Sequence, residues 1–145
     1  MGGEAEFTIG QLSRRAGVGI ETIRYYERIG LMPRPPRTGG GRRAFGADNL
    51  ATLSFIKHCR ELGFSLDDIR ALLTLRASDR NCSDVKSIAS RHLQAVRDKL
   101  HTLSEIEGNL TALIARCPGD ASPECPVLDA LDTTCCAATR APACG

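Results

Sequence analysis

The chain has 145 residues, 25% of them charged, and a formal net charge of +2. That length holds one small domain with an extension rather than two full cores, and no strong overall field selects a partner. No apolar run approaches the roughly 20 residues that cross a bilayer, and the start MGGEAEFTIG lacks an apolar signal core. A cytoplasmic protein without membrane partners is expected, whose seven cysteines suit thiolate work on metal or redox partners better than a disulfide framework.

Thr8-Ile9-Gly10-Gln11 has the form of a capping box, a hydroxyl with an amide three residues on. It predicts a short helix to about Ala16, with a turn at Gly17-Val18-Gly19 and a second helix from Ile20 to Ile29. Two short helices around a glycine-bearing turn make a helix-turn-helix over about residues 9–28. Prolines and glycines then exclude helix from Pro33 to Phe45, where Arg34, Arg37, Arg42 and Arg43 flank a glycine tip. That composition suits a hairpin wing aimed at phosphates. Asp48 is the expected cap of a helix from Asn49 to Leu62, with Leu50, Leu53, Phe55, Ile56 and Leu62 on its apolar face. Cys59 reads as a small core residue of that helix. After Gly63, Ser65 and Asp68 cap a further helix through Arg76, with Leu66, Ile69, Leu72 and Leu73 inward. These elements form one domain, residues 6–76.

A long helix is expected over residues 83–115, with a series in steps of four and three from Ala89 through Leu93, Val96, Leu100, Leu103, Glu107 and Leu110 to Ile114 that is apolar except at Glu107. Such a helix is roughly 50 Å long, and no small domain covers its seam, so a partner helix and a homodimer are expected. Cys82 precedes the helix; Cys117 and Cys125 follow it in a loop and short helix over residues 116–131. In an antiparallel dimer, Cys82 of one chain would face Cys117 and Cys125 of the other and form a soft-metal site. The tail, residues 132–145, has little to bury, and its Cys135, Cys136 and Cys144 are accessory metal-capturing candidates. His58, His92 and His101 lack partners at ligand spacing and read as ordinary helix residues.

Eight arginines fall between Arg14 and Arg43, which equips the first third to meet a polyanion. The candidate DNA contacts are Glu21, Thr22, Arg24, Tyr25 and Arg28 on the second helix, Arg37, Arg42 and Arg43 on the wing, and Lys57 and Arg60 beside them. Arg24 and Tyr25 lead this set. Ile23 and one of the two adjacent tyrosines are expected in the core. No nucleophile with a base, phosphate loop or carboxylate pair points to an enzyme.

The run Phe7-Thr8-Ile9-Gly10-Gln11-Leu12, then Gly17-Val18, then Glu21-Thr22-Ile23-Arg24-Tyr25-Tyr26-Glu27-Arg28 and Gly30-Leu31, resembles the MerR family of transcription regulators. So does Gly63-Phe64-Ser65-Leu66-Asp67-Asp68-Ile69. The resemblance covers residues 7 to about 131. It implies a mainly α fold, in which a winged helix-turn-helix domain precedes a long antiparallel coiled-coil dimerisation helix and a short C-terminal metal-binding loop. It also implies a dimer on promoter DNA that, with inducer bound, distorts the DNA so that RNA polymerase can use it.

Two features point to different inducers. The loop from Cys117 to Cys125 is similar to that of the family's monovalent-copper sensors, whereas cysteine at position 82 resembles the sensors of mercury, cadmium, lead and zinc. Two thiolates around a monovalent ion leave one negative charge, and three around a divalent ion leave the same; a third thiolate on Cu(I) adds a costly buried charge. This favours Hg(II) on Cys82, Cys117 and Cys125, then Pb(II) and Cd(II), with Zn(II) behind because it seeks a fourth ligand. The alternatives are a Cu(I) or Ag(I) sensor using Cys117 and Cys125 alone, and a thiol redox sensor on the same scaffold.

Overall fold

The computed structural model describes residues 6–35, 37, 39–41, 44–78, 81–119 and 123–132. Their architecture is mainly helical: α1 Ile9–Ala16, α2 Ile20–Arg28, α3 Ala47–Glu61, α4 Leu66–Ala77, α5 Cys82–Arg116 and α6 Pro126–Asp132. The chain divides into two compact units, Met1–His92 and Leu93–Gly145.

In the first unit, the Gln11 N–H donates to Thr8 Oγ1 at 3.2 Å and the Thr8 N–H to Gln11 Oε1 at 2.9 Å, the reciprocal bonds of a capping box. α1 ends at Gly17, whose φ of 64° lies in the left-handed region that glycine enters without strain. A side chain there would also meet Lys57 Nζ, 2.9 Å from the added carbon. Phe7 and Phe45 pair in an antiparallel bridge through bonds of 2.7 and 2.9 Å, which ties the chain before α1 to the chain before α3. Leu12, Ile23, Met32, Phe45, Leu53, Ile56 and Ile69 are fully buried in one core, joined at its edge by Ile88 of α5. Cys59 is buried there, and burial pushes its thiol pKa up.

Two caps differ from their expected form. The cap of α3 is Gly46, not Asp48: its N–H donates to Asn49 Oδ1 at 2.9 Å and its carbonyl accepts from the Asn49 N–H, so the helix starts at Ala47. At α4, Ser65 Oγ accepts from the Asp68 N–H at 3.1 Å as expected. The Asp68 carboxylate turns to the Ser65 hydroxyl at 2.9 Å and to Arg91 of α5 at 2.7 Å.

The second unit holds α5 from Leu93 onward, then Cys117, Pro118 and Gly119, and α6. Leu100, Leu103, Leu110 and Ile114 are 51–68% exposed along α5, and Leu93 and Ile106 are 48% and 47% exposed. Six large apolar side chains open to solvent in one helix form an unburied seam.

Candidate nucleic-acid interface and candidate metal centre

On α2, Ile23 and Tyr26 turn into the core and Glu27 is buried beside them, while Glu21, Thr22, Arg24, Tyr25 and Arg28 are exposed, as a period of 3.6 residues requires. Of the two tyrosines, Tyr26 is the core residue and Tyr25 is 40% exposed. Arg24 Nη1 lies 3.5 Å from Glu21 Oε1, and the Arg28 guanidinium lies 5.7 Å from the Tyr25 ring centroid. These contacts hold two arginine forks at the surface, where each can grip a phosphate or the acceptor edge of guanine.

A cleft of about 800 Å³ runs between the start of α1 and this face of α2, lined by Thr8, Ile9, Gly10, Ile20, Arg24, Glu27, Arg28 and Arg34. Three arginines around one cleft suit a polyanionic strand. Arg34 was missed as a site residue, although its place in the arginine-rich run after α2 was the available signal. The α1 start was missed because it carries no charge.

Other expected contacts are placed unevenly. Arg37 is exposed, and Arg42 and Arg43 lie outside the described residues. Lys57 is half-buried against Gly17 in the helix-turn-helix turn, 3.9 Å from Glu61. Arg60 donates to the Phe64 carbonyl at 2.8 Å, so part of its fork closes the end of α3.

The cysteines sit at helix ends. Cys82 is the first residue of α5 rather than the residue before it. Asn81 caps that end: its side chain accepts from the Ser83 N–H at 3.1 Å, and its carbonyl from the Asp84 and Val85 N–H groups. Cys82 is exposed and borders an apolar pocket of about 270 Å³ formed with Phe55, Leu72, Leu75, Arg76 and Val85. Cys117 and Cys125 are half-buried. The Cys117 N–H donates to the Ile114 carbonyl at 3.1 Å, just past α5, and the Cys125 carbonyl accepts from the Asp129 N–H at 2.9 Å, opening α6. Among the described residues, the single chain gathers no group of three His, Cys, Asp or Glu able to hold a metal. Cys135, Cys136 and Cys144 lie outside the described residues. Also among the described residues, no helix is long and apolar enough to cross a membrane.

His92 is no ordinary helix residue. Its ring stacks on Phe64 with centroids 4.3 Å apart, and its Nε2–H donates to the Leu62 carbonyl at 2.8 Å. Neither partner shares its helix, so periodicity carried no sign of it.

Comparison with known proteins fits this geometry. The profile of the MerR HTH family regulatory proteins matches residues 7–75, and that described as MerR, DNA binding matches residues 50–113. Heavy metal-dependent transcription regulator 2 of Rhizobium meliloti is 38% identical over 122 residues, 83% of each chain. The mercuric resistance operon regulatory protein of Bacillus cereus is 39% identical over 128 residues, 87% of this chain and 97% of that one. Among solved structures, the transcription regulator PbrR691 from Ralstonia metallidurans in complex with lead(II) aligns at a TM-score of 0.77 and 35% identity, covering 86% of this chain and 98% of that chain. By these matches the chain belongs to the MerR family of metal-responsive transcriptional regulators, which are not enzymes.

Proposed function

We propose that this regulator works as a homodimer on promoter DNA and activates heavy-metal resistance genes when a soft divalent ion binds across the dimer interface. The observation that carries the reading is the apolar seam of α5, open to solvent in the single chain, with one cysteine at the helix start and two beyond its end. Pairing two such helices buries both seams. An antiparallel pair sets the start of one helix against the end of the other. Cys82 of one protomer then meets the partner's Cys117 and Cys125, and two equivalent sites form in the dimer.

Three thiols suit a soft ion and disfavour Mg(II) or Ca(II). When bound, the ion supplies cross-links between the protomers. The residues of this chain supply the thiolates, the cap at Asn81 beside Cys82, and Pro118 and Gly119 directly after Cys117, the glycine at a φ of 70°. Hg(II) is the favoured inducer, followed by Pb(II) and Cd(II). Relatives differ on this point, one named for mercury and another solved with lead. The readout is α2 with the arginine cleft beside it. Bending or untwisting a promoter costs about 1–6 kcal/mol, within the reach of a tightly bound ion that favours one dimer geometry. RNA polymerase then reads the reshaped promoter in the cytoplasm.

The likeness of the Cys117–Cys125 loop to that of the family's monovalent-copper sensors favours a second reading, a Cu(I) or Ag(I) sensor that leaves Cys82 unused. Anaerobic reporter assays with Hg(II), Pb(II), Cd(II), Zn(II), Cu(I) and Ag(I) separate the two. Cys82→Ser is expected to abolish the response to divalent ions. A Hg(II) response that survives this substitution rules out the three-thiolate site, and a response that requires oxidant rules out a metal inducer.

A further inference from the structure

α4 ends at Ala77 and α5 begins at Cys82, so only a short link joins them along the chain. Nine residues further on, roughly 14 Å along α5, two consecutive side chains reach back to the turn between α3 and α4. Arg91 Nη2 lies 2.7 Å from Asp68 Oδ1, whose other oxygen is held by the Ser65 hydroxyl. His92 donates to the Leu62 carbonyl at 2.8 Å and stacks on the Phe64 ring. One side chain grips the start of α4 and the other the end of α3. Buried Ile88 also touches the core, but an apolar contact tolerates sliding and rotation. The ion pair and the hydrogen bond are directional and do not.

We propose that Arg91 and His92 are positioning residues of the inducer response, a clasp that locks the first turns of α5 onto the turn between α3 and α4. This rests on the metal-responsive reading above. A change in how two α5 helices pair reaches the DNA only if the start of α5 is locked to the domain that carries α2. Without the clasp, that change is not passed from α5 to α2. Metal affinity and operator affinity then survive while the coupling between them is lost.

The test uses the full-length dimer with Hg(II) as probe and a reporter carrying the genomic fragment that the protein selects. Hg(II) affinity, operator affinity and induction ratio are measured for the wild type, Arg91→Ala, His92→Ala and the charge swap Asp68→Arg with Arg91→Asp. The single variants are expected to keep both affinities and to lose about 2- to 30-fold in induction ratio, the range typical of residues on a coupling element. The swap is expected to recover part of the loss. His92→Gln, which keeps a donor but not the ring, tests the stack should an alanine variant fold poorly. Unchanged induction in both single variants, or losses matched by equal losses in affinity, overturn the clasp. A wild-type protein that fails to answer Hg(II) overturns the divalent-metal reading on which the clasp rests instead, and the two failures are distinct.

Discussion

Leu103 stands near the middle of the α5 seam and is 60% exposed in the single chain. Complete burial of a leucine side chain is worth roughly 1.5–3 kcal/mol, so covering the exposed part contributes roughly 1–2 kcal/mol. A symmetric antiparallel dimer contains the residue twice, which makes the contribution roughly 2–4 kcal/mol per dimer. Leu103→Gln removes the apolar surface at almost constant length and nearly equal helix propensity, so α5 itself survives. At about 1.4 kcal/mol per tenfold, the dimer dissociation constant is expected to rise roughly 30- to 700-fold. Sedimentation equilibrium over a concentration series measures it, with circular dichroism to check that helix content is retained. A variant that dimerises as tightly as the wild type refutes the assignment of this seam to the protomer interface.

Three further outcomes follow from the structure. Arg24→Ala is expected to weaken operator binding by about 1–3 kcal/mol whether or not metal is present and to flatten the salt dependence, read by fluorescence anisotropy across a salt series; equal affinity removes Arg24 from the reading face. Ile69→Ala opens a cavity in the core beside α3, where Ile69 is fully buried, and is expected to cost about 2–5 kcal/mol in urea unfolding. The Arg91 hydrogen bond, followed by that from Ser65, holds the Asp68 carboxyl below its ordinary value. A lowered folded-state pKa stabilises the fold above the unfolded value of about 3.9 and loses that contribution as pH falls through the folded value. The stability gap between wild type and Arg91→Ala is therefore expected to be level, at about 0.2–1 kcal/mol, above about pH 5 and to close below about pH 4. A gap that persists in acid shows that Arg91 acts through packing instead.

Features that depend on near neighbours were legible in the residues themselves. The capping box of Thr8 and Gln11, the turn at Gly17, the inward Ile23 and the buried Cys59 each rest on periodicity or on bonds spanning three or four residues. The cap of α3 was misplaced by two residues because Asp48 and Asn49 are both good capping side chains. The side-chain bond to the Gly46 N–H decided the start. Arg34 was read as part of a wing, yet it lines the cleft beside Arg24 and Arg28, a placement set by the chain's path after α2.

The sequence by itself determined the helices, the seam along α5 and the three thiols at its ends, since propensity, period and spacing are local properties. Only the tertiary structure decided which arginines share a cleft and that Arg91 and His92 grip the turn between α3 and α4. Those contacts join residues 23 to 30 positions apart in the chain, and no repeat within one helix encodes a partner on another. Packing of the core around Phe64 and Ile88 brings them within bonding distance.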